Sequence, residues 1–151
     1  MNIDKYLADF KFIGSTIRKM KIKNDFVSID NSNNFKRTID VSHTIDSIGT
    51  DNEGSLLLGV IIVNIKVVIS SNKKKLVLDM SIEGCFEIPA EVGEEVFRKM
   101  LQVNGVTSLY SISRGFVQST TSQILHTGSV LLPMFNVVAY SKDLDAENTN
   151  K

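Results

Sequence analysis

The chain has 151 residues, with 17 basic and 17 acidic side chains and a formal net charge of zero. This length suits one domain with a substantial core, and the balanced charge gives no electrostatic basis for binding nucleic acid. A single cysteine, Cys85, excludes an intrachain disulfide and a multi-cysteine metal site, which indicates a reducing, cytoplasmic setting. The stretch MNIDKYLADFKF lacks the basic and apolar regions of a secretory signal, so we expect none there.

The first half of the chain predicts four long β-strands. The stretch over 10–23 is rich in strand-forming residues and changes its alternation near Gly14, which indicates a bulge. Strict alternation over 36–45, with Ile39 and Val41 in the apolar phase, predicts a half-buried strand.

Two further strands follow. The apolar run over 55–70 approaches the length of a membrane span, but Asn64 and Lys66 interrupt it, and its β-branched residues favour a buried strand. We therefore expect no membrane partner. The segment over 76–88 alternates regularly after the short connection SSNKKK, so these two strands are predicted to form an antiparallel hairpin.

The second half of the chain predicts helices. Helical spacing over 91–103 predicts a short helix that ends at the Asn-Gly pair over 104–105, and a long helix is predicted from Thr107 or Ser108 to Gly128.

An apolar segment over 129–140 follows, in which Pro133 excludes a regular central strand. Residues 141–151 are predicted to be a polar, disordered tail, so the domain is predicted to span residues 1–140.

No motif in the chain carries recognisable chemistry, so we expect no catalysis, cofactor or metal. His43 lies on the apolar phase of its strand, where a hydrogen-bonded core histidine is the expected role. His126 is expected to interact with the end of the long helix. Cys85 has no basic neighbour and is expected to be structural. Glu94 and Glu95 are adjacent on a helix and point apart, so they do not form an acid/base pair.

Several segments in order resemble the SecB family of protein-export chaperones, over about residues 10–140. They are the bulged first strand, the strand end EGCFEI with Gly84, Phe86 and Ile88, the long helix with Arg114 in its first half, and the loop LLPMFNV, which is similar to the family's L.P.NF segment.

The resemblance implies an α+β fold, in which a four-stranded antiparallel sheet carries a long helix and a short helix on one face. It implies a homo-oligomer, either a dimer or a tetramer built as a dimer of dimers, with the long helices sandwiched between sheets. It also implies a holdase without catalysis, which binds unfolded or preprotein polypeptides in apolar grooves. Such proteins pass their clients to the export motor, and some relatives guard an antitoxin instead.

The resemblance also assigns candidate residues. Five residues are candidates for client binding, although they could equally be core residues: Ile39, Val41, Ile112, Phe116 and Ile124. In a sandwiched helix, Leu109, Ile112 and Phe116 are expected to pack on the helix's own sheet. Small side chains would then face another subunit, and the candidates for that interface are Ser111, Gly115, Ser119 and Thr120.

The sequence departs from the family in two places. After Tyr140 the family has a second amphipathic helix that can cover the groove and a tail that contacts the export motor, whereas here only polar residues follow. The family's acidic patch on the outer sheet face is represented by Asp79, Glu83 and Glu87. Two other functions remain open: a small-molecule-binding α+β domain with an apolar pocket, and a non-catalytic assembly or scaffold protein.

Overall fold

The computed structural model describes residues 9–30, 32 and 34–149. In chain order, the strands are β1 (Lys11–Asn24), β2 (Lys36–Thr50), β3 (Leu56–Ser71) and β4 (Lys74–Pro89). The helical elements are a 3-10 turn (Ala90–Val92), α1 (Glu94–Met100), a π-helical turn (Leu101–Gly105), α2 (Val106–Ile124) and α3 (Val137–Thr149).

The four strands form one antiparallel sheet in the order β1-β4-β3-β2, so that β3 and β4 are central and β1 and β2 lie at the edges. The register of β1 against β4 shifts between Phe12 and Gly14, which confirms the bulge predicted near Gly14. A second shift lies between Ile17 and Lys19. Bulges twist an edge strand and disrupt its free hydrogen-bonding groups, which discourages pairing with other chains along that edge.

Helices cover one face of the sheet, and the core lies between them and the two central strands. Alternation along β3 and β4 points every second side chain toward the helices. The largest of these strand side chains are fully buried: Ile61, Ile65, Ile69, Leu76, Leu78, Met80, Ile82, Phe86 and Ile88. The other phase forms the opposite side of the sheet, which we call the outer face; it mixes half-buried apolar residues such as Val60 and Ile62 with polar and charged ones.

Two glycines on the covered face allow the helices to lie directly on the sheet. A β-carbon at Gly59 would lie 2.6 Å from Cδ1 of Leu101, and one at Gly84 would lie 2.6 Å from Cδ2 of Leu109. Real β-carbons do not approach other atoms this closely, so the helices sit where only glycine leaves room. The predicted α+β fold, a four-stranded antiparallel sheet with a long and a short helix on one face, is confirmed.

The Asn-Gly pair at 104–105 does not end a helix, contrary to the prediction. The chain instead passes through the π-helical turn into α2, which begins at Val106. Gly105 is buried and has helical backbone angles, so it continues the helical run rather than ending it; a β-carbon there would make ordinary contacts, 3.4 Å from Ile61 and 3.5 Å from Phe86. The helix also ends earlier than predicted, at Ile124, because Leu125 is extended.

Residues 141–149 form the second half of α3 rather than the predicted disordered tail. Tertiary contacts hold this helix to the rest of the fold. Tyr140 hydrogen-bonds His43 of β2, and Nζ of Lys99 in α1 lies 2.8 Å from Oδ1 of Asp145. The composition of α3 has little amphipathic pattern, so periodicity could not reveal it. Residues 150–151 of the predicted tail and residues 1–8 of the predicted domain lie outside the described residues.

Candidate functional site

The side of α2 that faces the sheet is a mixed stripe of apolar and small polar residues. Its buried members are Val106, Leu109, Tyr110, Ser113, Val117 and Thr121. Two of these are polar, and each hydroxyl is satisfied within the helix. Ser113 Oγ donates to the Leu109 carbonyl at 2.8 Å, and Thr121 Oγ1 donates to the Val117 carbonyl at 2.7 Å. Serine and threonine can therefore be buried here without leaving an unpaired polar group.

This arrangement corrects the prediction that Leu109, Ile112 and Phe116 pack together on the sheet. Only Leu109 is fully buried there. Ile112 is half-buried and packs against the core, and Phe116 is 46% exposed. Ser113 and Thr121 share the sheet-facing positions with the larger Leu109 and Val117, and Phe116 lies outside this buried stripe.

Two shallow pockets lie on the outward side of α2 and share Gly115. Ile112, Gly115, Phe116 and Ser119 line the first, which has a volume of about 260 Å³. The second, of about 200 Å³, is lined by Ser111, Arg114, Gly115, Gln118, Leu131 and Leu132. Two of the residues predicted to bind clients and three of those predicted to form an interface therefore meet on one surface. We call the α2 surface the set Ser111, Ile112, Gly115, Phe116, Ser119, Leu131 and Met134.

The extended segment that follows α2, over residues 128–136, supplies Leu131 and Met134, which the sequence did not predict as part of this surface. Leu131 is 51% exposed and Met134 is 78% exposed, whereas Val130 and Leu132 are buried. Residues 130–133 alternate between buried and exposed as a strand does, although they belong to none of the four strands. This alternation could have indicated which residues of the segment are exposed. The segment was not predicted to be a strand, however, because Pro133 excludes a regular one.

Side chains of α2 fix this extended segment in place. Arg114 Nε donates to the Leu132 carbonyl at 3.0 Å, and Nη1 of the same guanidinium lies 2.9 Å from Sδ of Met134. Tyr110 donates its hydroxyl to the Pro133 carbonyl at 3.0 Å, and burial raises the pKa of that phenol. The backbone of the segment is thus held by long side chains, and the exposure of Met134 follows from that anchoring.

The remaining candidate residues lie elsewhere. Ile39 and Val41 pack against the core from the edge strand β2, on the covered face of the sheet. Ile124, 45% exposed, lies at the last residue of α2, and Thr120 is half-buried and lines neither pocket of the α2 surface. The structure therefore brings together only part of the predicted set.

His43 of β2 meets Tyr140 of α3, and both side chains are half-buried. The rings are nearly perpendicular, with centroids 5.8 Å apart, and the phenol hydroxyl hydrogen-bonds Nδ1 of the imidazole. Burial lowers the pKa of His43 and raises the pKa of Tyr140 to about 12, so both groups are neutral at pH 7. His43 is the hydrogen-bonded histidine that its position on the apolar phase predicted.

The acidic residues predicted on the outer face are paired with cations of β1. Asp79 lies 2.9 Å from Lys19, and Glu83 lies 2.9 Å from Arg18. Glu87 lies 3.8 Å from Lys11. These three acidic residues are therefore neutralised by the neighbouring strand rather than left as an acidic patch.

Clusters of metal-ligating side chains do not occur in the part of the chain that is described. No group of three or more His, Cys, Asp or Glu side chains within it could hold a metal ion. Cys85 lies on the outer face, where burial raises the pKa of its thiol and so favours the unreactive protonated form. Among these residues, no helix is both long and apolar enough to cross a membrane.

Comparison with known proteins identifies the architecture. No protein-family model matches the chain, and no curated protein matches it in sequence. Among solved structures, it is similar to the Mycobacterium tuberculosis SecB-like chaperone Rv1957, determined in complex with a ChAD peptide from the HigA1 antitoxin. The two superpose with a TM-score of 0.62 and 13% identity, over 83% of this chain and 90% of that one. The chain has a SecB-like fold.

The order of elements that suggested this resemblance is therefore confirmed at the level of the fold. Within the SecB-like fold, the α2 surface is formed by the long helix and by the extended segment that follows it. A protein of unknown function from Streptococcus agalactiae is also similar, with a TM-score of 0.49 and 11% identity over 83% of this chain and 97% of that one.

Proposed function

We propose that the chain is a SecB-like chaperone, a non-enzymatic holdase that binds unfolded or preprotein polypeptides through apolar surface. The observation that carries the proposal is the exposure of Phe116, Leu131 and Met134 on the α2 surface. Grouped apolar side chains are rarely left exposed unless they bind something, and methionine adapts its shape to varied partners. The SecB-like fold supports the same role, because the M. tuberculosis chaperone with this fold was determined in complex with an antitoxin peptide.

In this proposal, α2 also packs against a second copy of the chain in a homodimer or homotetramer. Ser111, Gly115 and Ser119 are spaced four residues apart and form a line of small side chains that permits close approach of another helix. Thr120 is the fourth proposed interface residue. Several copies would present several weak binding sites to one unfolded chain, which raises the overall affinity through avidity.

The proposed client-binding residues are Ile39, Val41, Ile112, Phe116 and Ile124, to which the structure adds Leu131 and Met134. The protein would act in the cytoplasm, either for protein export, with the export motor as a partner, or for control of an antitoxin. The sequence predicted only a polar tail after Tyr140, without a helix that could cover the groove. Because α3 occupies Val137–Thr149, that expectation no longer counts against a lid over the groove.

The test is the suppression of aggregation. The protein is mixed with a chemically denatured client that aggregates on dilution, and light scattering is followed. We expect suppression near one client per oligomer, weakened in a Leu131→Ser, Met134→Ser variant. The control is Val96→Ser, because Val96 is 52% exposed but lies on α1, outside the α2 surface.

A stable oligomer that never suppresses aggregation would contradict the holdase and favour the scaffold alternative. The small-ligand alternative gains no support from the pockets of the α2 surface, which are shallow. The larger cleft of about 500 Å³ between α1 and α3 is lined mainly by polar and charged side chains: Glu95, Arg98, Lys99, Gln102, Asp145 and Thr149.

A further inference from the structure

The outer face of the sheet has a basic end, near the β3–β4 hairpin. Lys19 there is paired with Asp79. Five other lysines on the same face are exposed and have no carboxylate oxygen within 4 Å among the described residues: Lys21, Lys23, Lys36, Lys66 and Lys75. We call these five lysines the basic end. Although the chain is neutral overall, positive charge is concentrated in this region.

Strand register shows how these lysines are arranged. Lys21 of β1 and Lys66 of β3 both pair with Asp79 of β4, so they flank it in one row across the sheet. Because neighbouring strands lie about 4.8 Å apart, the two lysine backbones are separated by roughly 10 Å. Asp40 of β2 continues the row beyond Lys66.

The next row toward the hairpin is apolar at its centre. Val77 of β4 pairs with Val68 of β3, and Lys23 of β1 lies beside Val77. Both valines are half-buried. Lys21, Lys23, Lys66, Val77 and Asp79 line a shallow pocket of about 270 Å³. The pocket therefore has a small apolar floor and a rim that is mainly cationic.

We propose that the basic end binds an acidic segment of a partner polypeptide, in which carboxylates alternate with small apolar side chains. An extended peptide places its side chains alternately, so apolar groups could contact Val68 and Val77 while carboxylates reach the lysines on either side. Charge complementarity of this kind would set the choice of partner and the rate of association. The inference does not depend on the proposed function.

Nucleic acid fits the same surface less well. The carboxylate of Asp40 lies beside Lys66 and would repel a phosphate backbone. The surface also holds no aromatic side chain among its described residues on which a base could stack. A peptide can place its apolar and acidic groups to avoid this aspartate, so a polypeptide is the better match.

Fluorescence anisotropy with a labelled dodecapeptide of alternating glutamate and valine tests the proposal. The full chain should bind this probe at low salt, and binding should weaken at high salt because exposed charges are screened. A peptide with lysine in place of glutamate should not bind. Lys23→Gln with Lys66→Gln should weaken binding by about tenfold, since each exposed ion pair contributes up to about 1 kcal/mol.

The matched control is Lys11→Gln with Lys142→Gln, which removes the same charge outside the basic end and should change binding less than twofold. Urea unfolding should show that both double variants are folded, and amide shifts on peptide addition should include Val68 and Val77. Equal weakening in both variants would overturn the proposal, as would no anisotropy change at low salt. Tighter binding of a single-stranded oligouridylate or of phosphatidylglycerol vesicles than of the peptide would also overturn it.

Discussion

Leu109 of α2 lies directly over Gly84 of β4, in the space that a β-carbon at position 84 would occupy. Leu109 is fully buried, so its side chain has little freedom to move aside. This contact sets how closely the long helix approaches the sheet. It also places the outward side of α2, with its two pockets, at a defined height above the core.

Gly84→Val should destabilise the protein by about 1–3 kcal/mol, because extra atoms in a packed core force side chains or helices to shift. Valine favours strands, so a loss of stability would report the clash rather than strand propensity. Gly49→Val is the matched control, since nothing lies within 4 Å of a β-carbon at Gly49 in β2. Urea unfolding measures the stability of both variants, and equal midpoints would contradict the close contact between Leu109 and Gly84.

Arg114→Ala should cost about 1.5–3 kcal/mol, the range for a hydrogen bond that involves a charged group, because Arg114 holds the Leu132 carbonyl. Limited proteolysis should then cut the segment that carries Leu131 and Met134 faster than in the original protein. Arg98→Ala is the control. Arg98 makes an exposed ion pair with Glu94 one helical turn away, which contributes only about 0.3–0.5 kcal/mol. Similar losses for both variants would argue against the anchoring role.

Acid should weaken the attachment of α3 through His43. Burial lowers the pKa of His43 below its ordinary value of 6.5, while the nearby charge of Glu147 acts in the opposite direction. The unfolded chain therefore binds more protons than the folded one below pH 6.5, so stability present above that pH is lost as the pH falls toward the folded pKa. Tyr140, the other titratable group that faces His43, stays protonated throughout this range.

Urea midpoints measured between pH 8 and pH 5 test this expectation. His43→Phe should flatten the pH dependence over that range, and His126→Gln, which replaces an exposed histidine of α2's C-terminal connection, is the matched control. If His43→Phe kept the full slope, another group would have to be responsible.

Ser119→Lys should dissociate the proposed oligomer, because a long charged side chain cannot be accommodated where two helices meet closely. Size-exclusion chromatography with light scattering measures the mass. Val96→Lys is the control, because Val96 is 52% exposed but lies on α1, outside the α2 surface. An unchanged mass for Ser119→Lys would place the interface elsewhere.

The strands could be predicted from the sequence because alternation is a direct record of which side chains face the core. Ile61, Ile65 and Ile69 follow that rule, and β3 lies where it predicts. The buried side of α2 was harder to predict. Its buried stripe includes Ser113 and Thr121, whose hydroxyls bond to the helix's own carbonyls, so polarity alone could not place them on the sheet-facing side.

Features that depend on contacts between distant residues could not be predicted. α3 is held through Tyr140 to His43 and through Asp145 to Lys99, pairs that are far apart in the sequence. Gly105 resembled a helix stop, because glycine commonly ends helices, yet here it lies buried inside a continuous helical run. The exposure of Leu131 likewise depends on the fixing of the chain by Arg114.

The strand order has a consequence for synthesis. β2, β3 and β4 are joined in sequence and can pair as they leave the ribosome, but β1 pairs with β4, so Met20 must wait for Met80. β1 is made before the other three strands yet finds its partner last, with the long-range closure that slows folding. Until β4 emerges, the nascent protein carries an unpaired strand whose Ile17 and Met20 lack the core they later pack against, and it resembles the unfolded chains that we propose it binds.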